Sequence, residues 1–221
     1  MYKSAPTTLL LIVFLIFLTA WIDAKQQPLL FTDKKLSQIK KEHGEKTSQR
    51  FIKWRQFVAE NQTKSDLEKI KLTNDFFNQQ ILWIADKKLW KKNDYWATPM
   101  ETLIKRAGDC EDFTIIKYFT LISLGVSISH LKLTYVKAIK YNQAHMVLTY
   151  SETKRSVPLV LDNINKKILP ANKRKDLKPV YSFNGEGLWL QKQKKLGKKV
   201  GKSSRIRLWV DLNKRMKKEL I

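Results

Sequence analysis

The chain has 221 residues, 43% of them hydrophobic and 11% aromatic, enough to bury one full core, which excludes a disordered polymer. Its formal net charge of +23 suits polyanionic surroundings (nucleic acid, anionic lipid or an acidic protein) and by itself selects none of them. The single cysteine, Cys110, excludes an internal disulfide, and no repeat of solenoid or propeller length is present.

The N-terminus reads as an export signal. Lys3 supplies a short basic start, Leu9 to Leu18 is an unbroken apolar run, and Ala20 or Ala24 offers a small residue for cleavage. Leu18 and Ile22 weaken those two cleavage sites, and a run extended to Ile22 reaches the length of an uncleaved anchor. Residues 1–24 are thus assigned to a signal, with an uncleaved anchor as the alternative, and the remainder to a domain that works outside the cytoplasmic membrane. Removing them takes away Lys3 and Asp23 and leaves the net charge at +23.

Phe51, Trp54, Phe57 and Val58 share one helical face, and Asn61 ends that segment. Ser65 and Glu68 form a capping box for a second helix, whose apolar positions Leu67, Ile70, Phe77, Ile81 and Ile84 carry it to about Ala85. An aromatic loop, KKLWKKNDYWATP, follows; its Trp90 and Trp96, with Trp189 further on, are candidates for a cleft lining, although core packing accounts for any one of them. Thr98-Pro99-Met100-Glu101 is another capping box and predicts a short helix to Arg106, with Gly108 ending it at positive φ. Asp109 caps a helix from Cys110 to Leu124 that Gly125 terminates; apolar on most sides, it is expected at the centre of the fold.

Beyond Gly125 the pattern changes. KLTYVKAI, AHMVLTYS and PLVLDNIN read as strands, and PVYSF and LWLQK flank a tight loop at Asn184-Gly185-Glu186-Gly187. The tail returns to helical spacing at Ile206, Trp209, Val210 and Met216. The expected class is α+β: N-terminal helices and a central Cys-bearing helix packed on an antiparallel sheet, with a domain over 25–190 and a basic helical extension over 191–221.

Cys110 stands in a helix's first turn, where free backbone N–H groups and the helix dipole favour a thiolate. A cysteine nucleophile needs a base, and the base needs an orienting acid. Of three histidines, His43 sits in the polar stretch KKEHGEK, while His130 and His145 both remain open; His145 is the better placed, opening a strand upstream of Asp162 at the end of PLVLD. Asp109, Glu111 and Asp112 flank the thiol and, left bare, would raise its pKa. Hard oxygen ligands this close together suit Ca²⁺, and Asp94 adds another; the alternative is that they cap the helix and complement its dipole.

The blocks DYWATPMETLIKRAGDCEDF, AHMVL, PLVLDNI and PVYSFNGEGLW resemble the bacterial transglutaminase-like cysteine proteinases, specifically the LapG-type periplasmic proteases, over roughly residues 83–189. The resemblance implies a papain-like or transglutaminase-like fold and a Cys110–His145–Asp162 triad. It also implies Ca²⁺ held by the acids beside the cysteine, Asp109, Glu111 and Asp112, and cleavage of a large surface adhesin near its N-terminus. It further implies sequestration by a LapD-type inner-membrane cyclic-di-GMP receptor, in control of biofilm release. No nucleic-acid partner is expected, and membrane contact would come only through that receptor or an uncleaved signal. Acyl transfer to an amine uses the same triad and remains an alternative, as does a basic exported module that binds without catalysis.

Overall fold

The computed structural model describes residues 31–192 and 195–219, so the signal assigned to residues 1–24 lies outside the described residues. Three helices come first. α1 (Asp33–His43) is capped by Thr32, whose side chain accepts from Lys35 N, and it turns at Gly44 (φ 82°) into α2 (Glu45–Asn61). α3 (Asp66–Gln80) opens with the Ser65/Glu68 capping box, satisfying two helix-end donors, and stops short of Ala85 because Ile81 is already extended.

β1 (Leu82–Trp83) and the short α4 (Asp86–Leu89) follow, then α5 (Pro99–Lys105) with its Thr98/Glu101 capping box. The left-handed residue after α5 is Arg106 (φ 54°), not Gly108 as expected. Gly108 lies instead in β2 (Ala107–Gly108), which pairs in parallel with β1. The requirement there is for space: a Cβ on Gly108 would stand 2.5 Å from the Asp112 side chain.

α6 (Cys110–Ser123) is the centre of the molecule, with Asp112 through Ser123 all buried. Gly125 (φ 85°) ends it as expected. The remaining strands are β3 (Leu131–Ala138), β4 (Gln143–Tyr150), β5 (Leu159–Leu161), β6 (Leu169–Pro170), β7 (Leu177–Asn184), β8 (Gly187–Lys192) and β9 (Lys195–Gly201). They form one antiparallel sheet in the order β6-β5-β4-β3-β7-β8-β9 among the described residues, with Gly185 and Glu186 making the β7–β8 turn. Alternation along β4 sends Met146, Leu148 and Tyr150 into the main core with α6, and leaves His145 and Val147 on the other face.

The tail departs from the helical extension expected over 191–221. Residues 195–201 form β9 on the sheet edge, and only α7 (Arg207–Glu219) is helical. Trp209, Leu212 and Met216 of α7 are buried in the main core, with Trp209 stacked on Phe119 of α6. The family expectation for the fold holds: helices and an antiparallel sheet enclose a buried, cysteine-bearing helix.

Candidate active site

The site lies where the start of α6 meets β4 and the chain leaving β5. Thr114, one turn into α6, donates to the carbonyls of Cys110 (2.8 Å) and Met146 (3.1 Å), which fastens the helix start to the strand beside His145. The Met146 N–H in turn donates to the Cys110 sulfur. The register of β4 on β5 pairs Leu148 with Leu161, so the next step sets Asp162 opposite Val147 and on the face that carries His145.

There His145 Nε2 lies 2.9 Å from Asp162 Oδ1, with both residues buried. Asp162 Oδ1 also accepts from Ile164 N, and Oδ2 accepts from Arg174 Nη2 at 2.7 Å. Burial works against a charge on Asp162, yet the His145 bond and charge, the Ile164 N–H and the Arg174 guanidinium together hold its pKa well below the carboxylate range. Of the other two candidates, His43 ends α1 beside Glu42, and His130 faces Asp66 and Tyr150. Of the three, His145 is the one within hydrogen-bond distance of its carboxylate, as an oriented base requires; His43 and His130 stand 3.8 and 3.7 Å from theirs. A small cleft of about 100 Å³ borders His145 and Asp162, walled by Ala138, Tyr141, Ile164 and Leu177 together with the charged Lys140, Arg174 and Asp176.

On the other side of the sulfur the charges are negative. Cys110 is half-buried, and its Sγ lies 2.9 Å from Glu111 Oε2. Burial raises the thiol pKa well above normal, the Glu111 and Asp109 charges raise it further, and the Met146 N–H pulls the other way. Burial pushes Glu111 up to about 10, with Asp109 adding to the effect, and raises Asp109 and Asp112 as well. The expected acids are joined by one that the sequence reading passed over. Asp86 at the start of α4 is 3% exposed, with a pKa raised to about 6 by burial and by the charges of Asp109 and Asp94.

These acids fit a cation. Asp86, Asp109 and Asp112 bring ligand oxygens within 4.8 Å of one another, as do Asp86, Asp94 and Glu111. Oδ1 of Asp86 and Oδ1 of Asp109 are buried with no hydrogen-bond partner. Such orphaned acceptors are costly unless a cation meets them. Asp112 contributes mainly as a brace, since Oδ1 accepts from Ala97 N and Oδ2 from Asp109 N. An all-oxygen set of carboxylates is the donor chemistry of Ca²⁺. Trp96 is buried and stacks on Phe183, and is core rather than cleft lining.

A sequence model of the bacterial transglutaminase-like cysteine proteinases matches residues 39–199. The chain belongs to this family. Among solved structures, LapG of Legionella pneumophila in an EGTA-treated form is 41% identical, with a TM-score of 0.75, over 86% of this chain and 100% of that one. The calcium-bound form of the same protein is 41% identical with a TM-score of 0.72, over 83% of this chain and 98% of that one. No curated protein matches the chain. The chain is thus a LapG-like cysteine proteinase, and Cys110 is its only cysteine.

Proposed function

We propose that the protein is a calcium-dependent periplasmic cysteine endopeptidase that cuts the N-terminal region of a large surface adhesin, held in check by a LapD-type cyclic-di-GMP receptor. The buried His145–Asp162 pair, set one residue from the N–H that contacts the Cys110 sulfur, carries the catalytic part of this reading. The adhesin and the receptor rest on the likeness to LapG-type proteases, and the basic surface suits an acidic partner segment.

With Nε2 engaged by Asp162, Nδ1 of His145 is the nitrogen that takes the Cys110 proton. The thiolate attacks the scissile carbonyl carbon, and the backbone N–H groups opening α6, that of Cys110 included, receive the oxyanion. His145 returns its proton to the departing amine as the C–N bond breaks, leaving a thioester on Cys110. Water, deprotonated by His145, then releases the acid and restores the thiol. Asp162, kept ionised by Arg174, fixes the ring's tautomer throughout. Asp86, Asp109, Glu111 and Asp94 would hold Ca²⁺, with Asp112 behind them; when bound, the ion cancels the negative charge beside the sulfur.

The test incubates the protein with surface proteins of the same cell, comparing wild type, Cys110→Ala and wild type in excess EGTA. Cleavage is expected only from wild type with calcium. Cleavage by Cys110→Ala overturns the mechanism, a cross-linked product without cleavage replaces proteolysis with acyl transfer, and full activity in EGTA removes the metal.

A further inference from the structure

Two turns beyond Cys110, α6 carries a lysine that the mechanism above does not use. Lys117 is 1% exposed in a helix otherwise packed among apolar side chains. Its Nζ donates to Asn74 Oδ1 (2.9 Å), Asn78 Oδ1 (2.8 Å) and the main-chain carbonyl of Asp162 (3.3 Å). The three acceptors match the three protons of an ammonium; a neutral amine would leave one unmet. Burial draws the lysine pKa down to about 7, opposed by the charges of Asp162 and Asp75, and the Phe113 ring lies 5.7 Å away.

The two asparagines extend the contact. Asn78 Nδ2 donates to the same Asp162 carbonyl at 2.9 Å, and Asn74 Nδ2 donates to the Lys166 carbonyl at 2.9 Å. They lie four residues apart on α3, so one face of that helix grips both ends of the segment 162–166. Cys110, Thr114 and Lys117 likewise fall on one stripe of α6. That stripe presents the sulfur, fastens the strand next to His145 through Thr114, and fastens the backbone of Asp162 through Lys117. A methionine would fill the volume of Lys117 without the cost of dehydrating a charge, so plain core packing does not call for an ammonium there.

We propose that Lys117 is a positioning residue, which with Asn74 and Asn78 holds the Asp162 main chain so that its carboxylate meets His145. The inference rests on the Cys110–His145–Asp162 reading. Its consequence is that losing the ammonium leaves the thiol and the base in place but lets the base's orienting partner drift.

The chain has three histidines, which makes the site readable without a substrate. Calcium-loaded protein with ¹⁵N-labelled histidine is compared by NMR as wild type, Lys117→Met and Asn78→Ala, with iodoacetamide alkylation of Cys110 at pH 7 measured alongside. Lys117→Met is expected to shift or broaden the hydrogen-bonded Nε2–H signal of His145 while His43 and His130 stay put. It should slow alkylation about tenfold, as losing an orienting contact to an active group typically does. Asn78→Ala should act in the same direction, and neither change should slow alkylation further in an Asp162→Ala background. A folded Lys117→Met protein with the wild-type His145 signal and alkylation rate overturns the proposal. So does an equal slowing in the Asp162→Ala background, which would mark a general structural effect. If Lys117→Met does not fold, Asn78→Ala decides on the same criteria. Loss of Cys110-dependent proteolysis as a reading would leave the NMR result standing, and an unmoved signal alongside Cys110-dependent cleavage sinks only the clamp.

Discussion

Replacing Asp86 with Asn separates the electrostatic cost of the acid cluster from its use. Asp86 is 3% exposed; Oδ2 accepts from Tyr95 N, and Oδ1 has no partner. Its pKa of about 6 in the fold exceeds that of a free Asp, near 3.9, because burial and the neighbouring acids disfavour the charge. The sign follows from that order. Below about pH 4 the group is protonated folded or unfolded and costs nothing, and the penalty grows as pH rises to 6 and is complete above it. Two pKa units set an upper limit near 3 kcal/mol, of which about 1–3 kcal/mol is expected in practice. The amide keeps the Tyr95 contact through its oxygen and can donate to Asp109. Asp86→Asn should thus stabilise the protein by about 1–3 kcal/mol in EGTA at pH 7.5, yet lose most of the stabilisation that calcium gives to wild type. Urea denaturation in EGTA and in CaCl₂ reads both effects. A variant less stable than wild type in EGTA, or one that calcium stabilises as fully as wild type, refutes the reasoning.

Two further substitutions probe the two flanks of the sulfur. Arg174→Met removes the buried guanidinium from Asp162 Oδ2 and should cost about 3–5 kcal/mol, since it leaves a buried carboxylate less compensated. Because Asp162 has a depressed pKa, its stabilising share is present above the unfolded value near 4 and is lost as pH falls toward the lower folded one. In Arg174→Met the folded value moves up toward the unfolded one, so this acid loss should be smaller and complete at higher pH, and denaturation curves from pH 3 to 7 that coincide in shape with wild type would contradict it. Gly108→Ala drives a methyl to 2.5 Å from Asp112, which Ala97 N and Asp109 N hold in place. A loss of about 1–3 kcal/mol, with weaker calcium binding, is expected; calorimetry showing neither change would mean that Asp112 gives way freely.

Much of the site was legible because its chemistry sits on strong local signals. A cysteine one step past a helix cap, and a histidine and an aspartate on successive alternating strands, are visible without coordinates. Asp86 was not, because it lies far from Asp109 in sequence and is brought in only by the parallel β1–β2 pairing, two residues long. So short a strand leaves no periodicity to read. Arg174 stood in a run of basic residues that resembles solvated surface, and nothing local marks its burial against Asp162. Lys117 did leave a trace, as a lone charge amid the apolar run of α6, which implies a buried partner. β9 was missed because the lysines of KLGKKVG read as tail charge, whereas an edge strand tolerates and uses them. The helix α7 was legible by its apolar spacing, but its burial against Phe119 and Phe183 was not.

On the proposed calcium-dependent reading, protons and calcium compete for the sulfur's surroundings. A helix start contributes about 0.3–1 kcal/mol toward an anion, up to about 2 in favourable geometry. A full carboxylate charge at about 4 Å opposes it with about 4 kcal/mol at the effective dielectric of a protein surface. With Glu111 Oε2 at 2.9 Å, the dipole loses, and the thiol stays protonated while its neighbour is ionised and bare. Relief comes from a proton on the acids or from a cation among them. With no cation among them, burial and mutual repulsion favour a proton on Glu111, whose pKa is pushed up to about 10, across the neutral range, and on Asp86, raised to about 6, only as pH falls below that value. Calcium held by these acids would have to displace such protons, so its binding should release protons and weaken as pH falls through the Asp86 value. Calorimetry at pH 5.5 and 7.5 should show affinity more than about tenfold weaker at the lower pH, with proton release visible as a buffer-dependent heat. Equal affinity and no proton release would mean that the cluster is already ionised without metal, and that the charge balance at Cys110 is struck by something other than these acids.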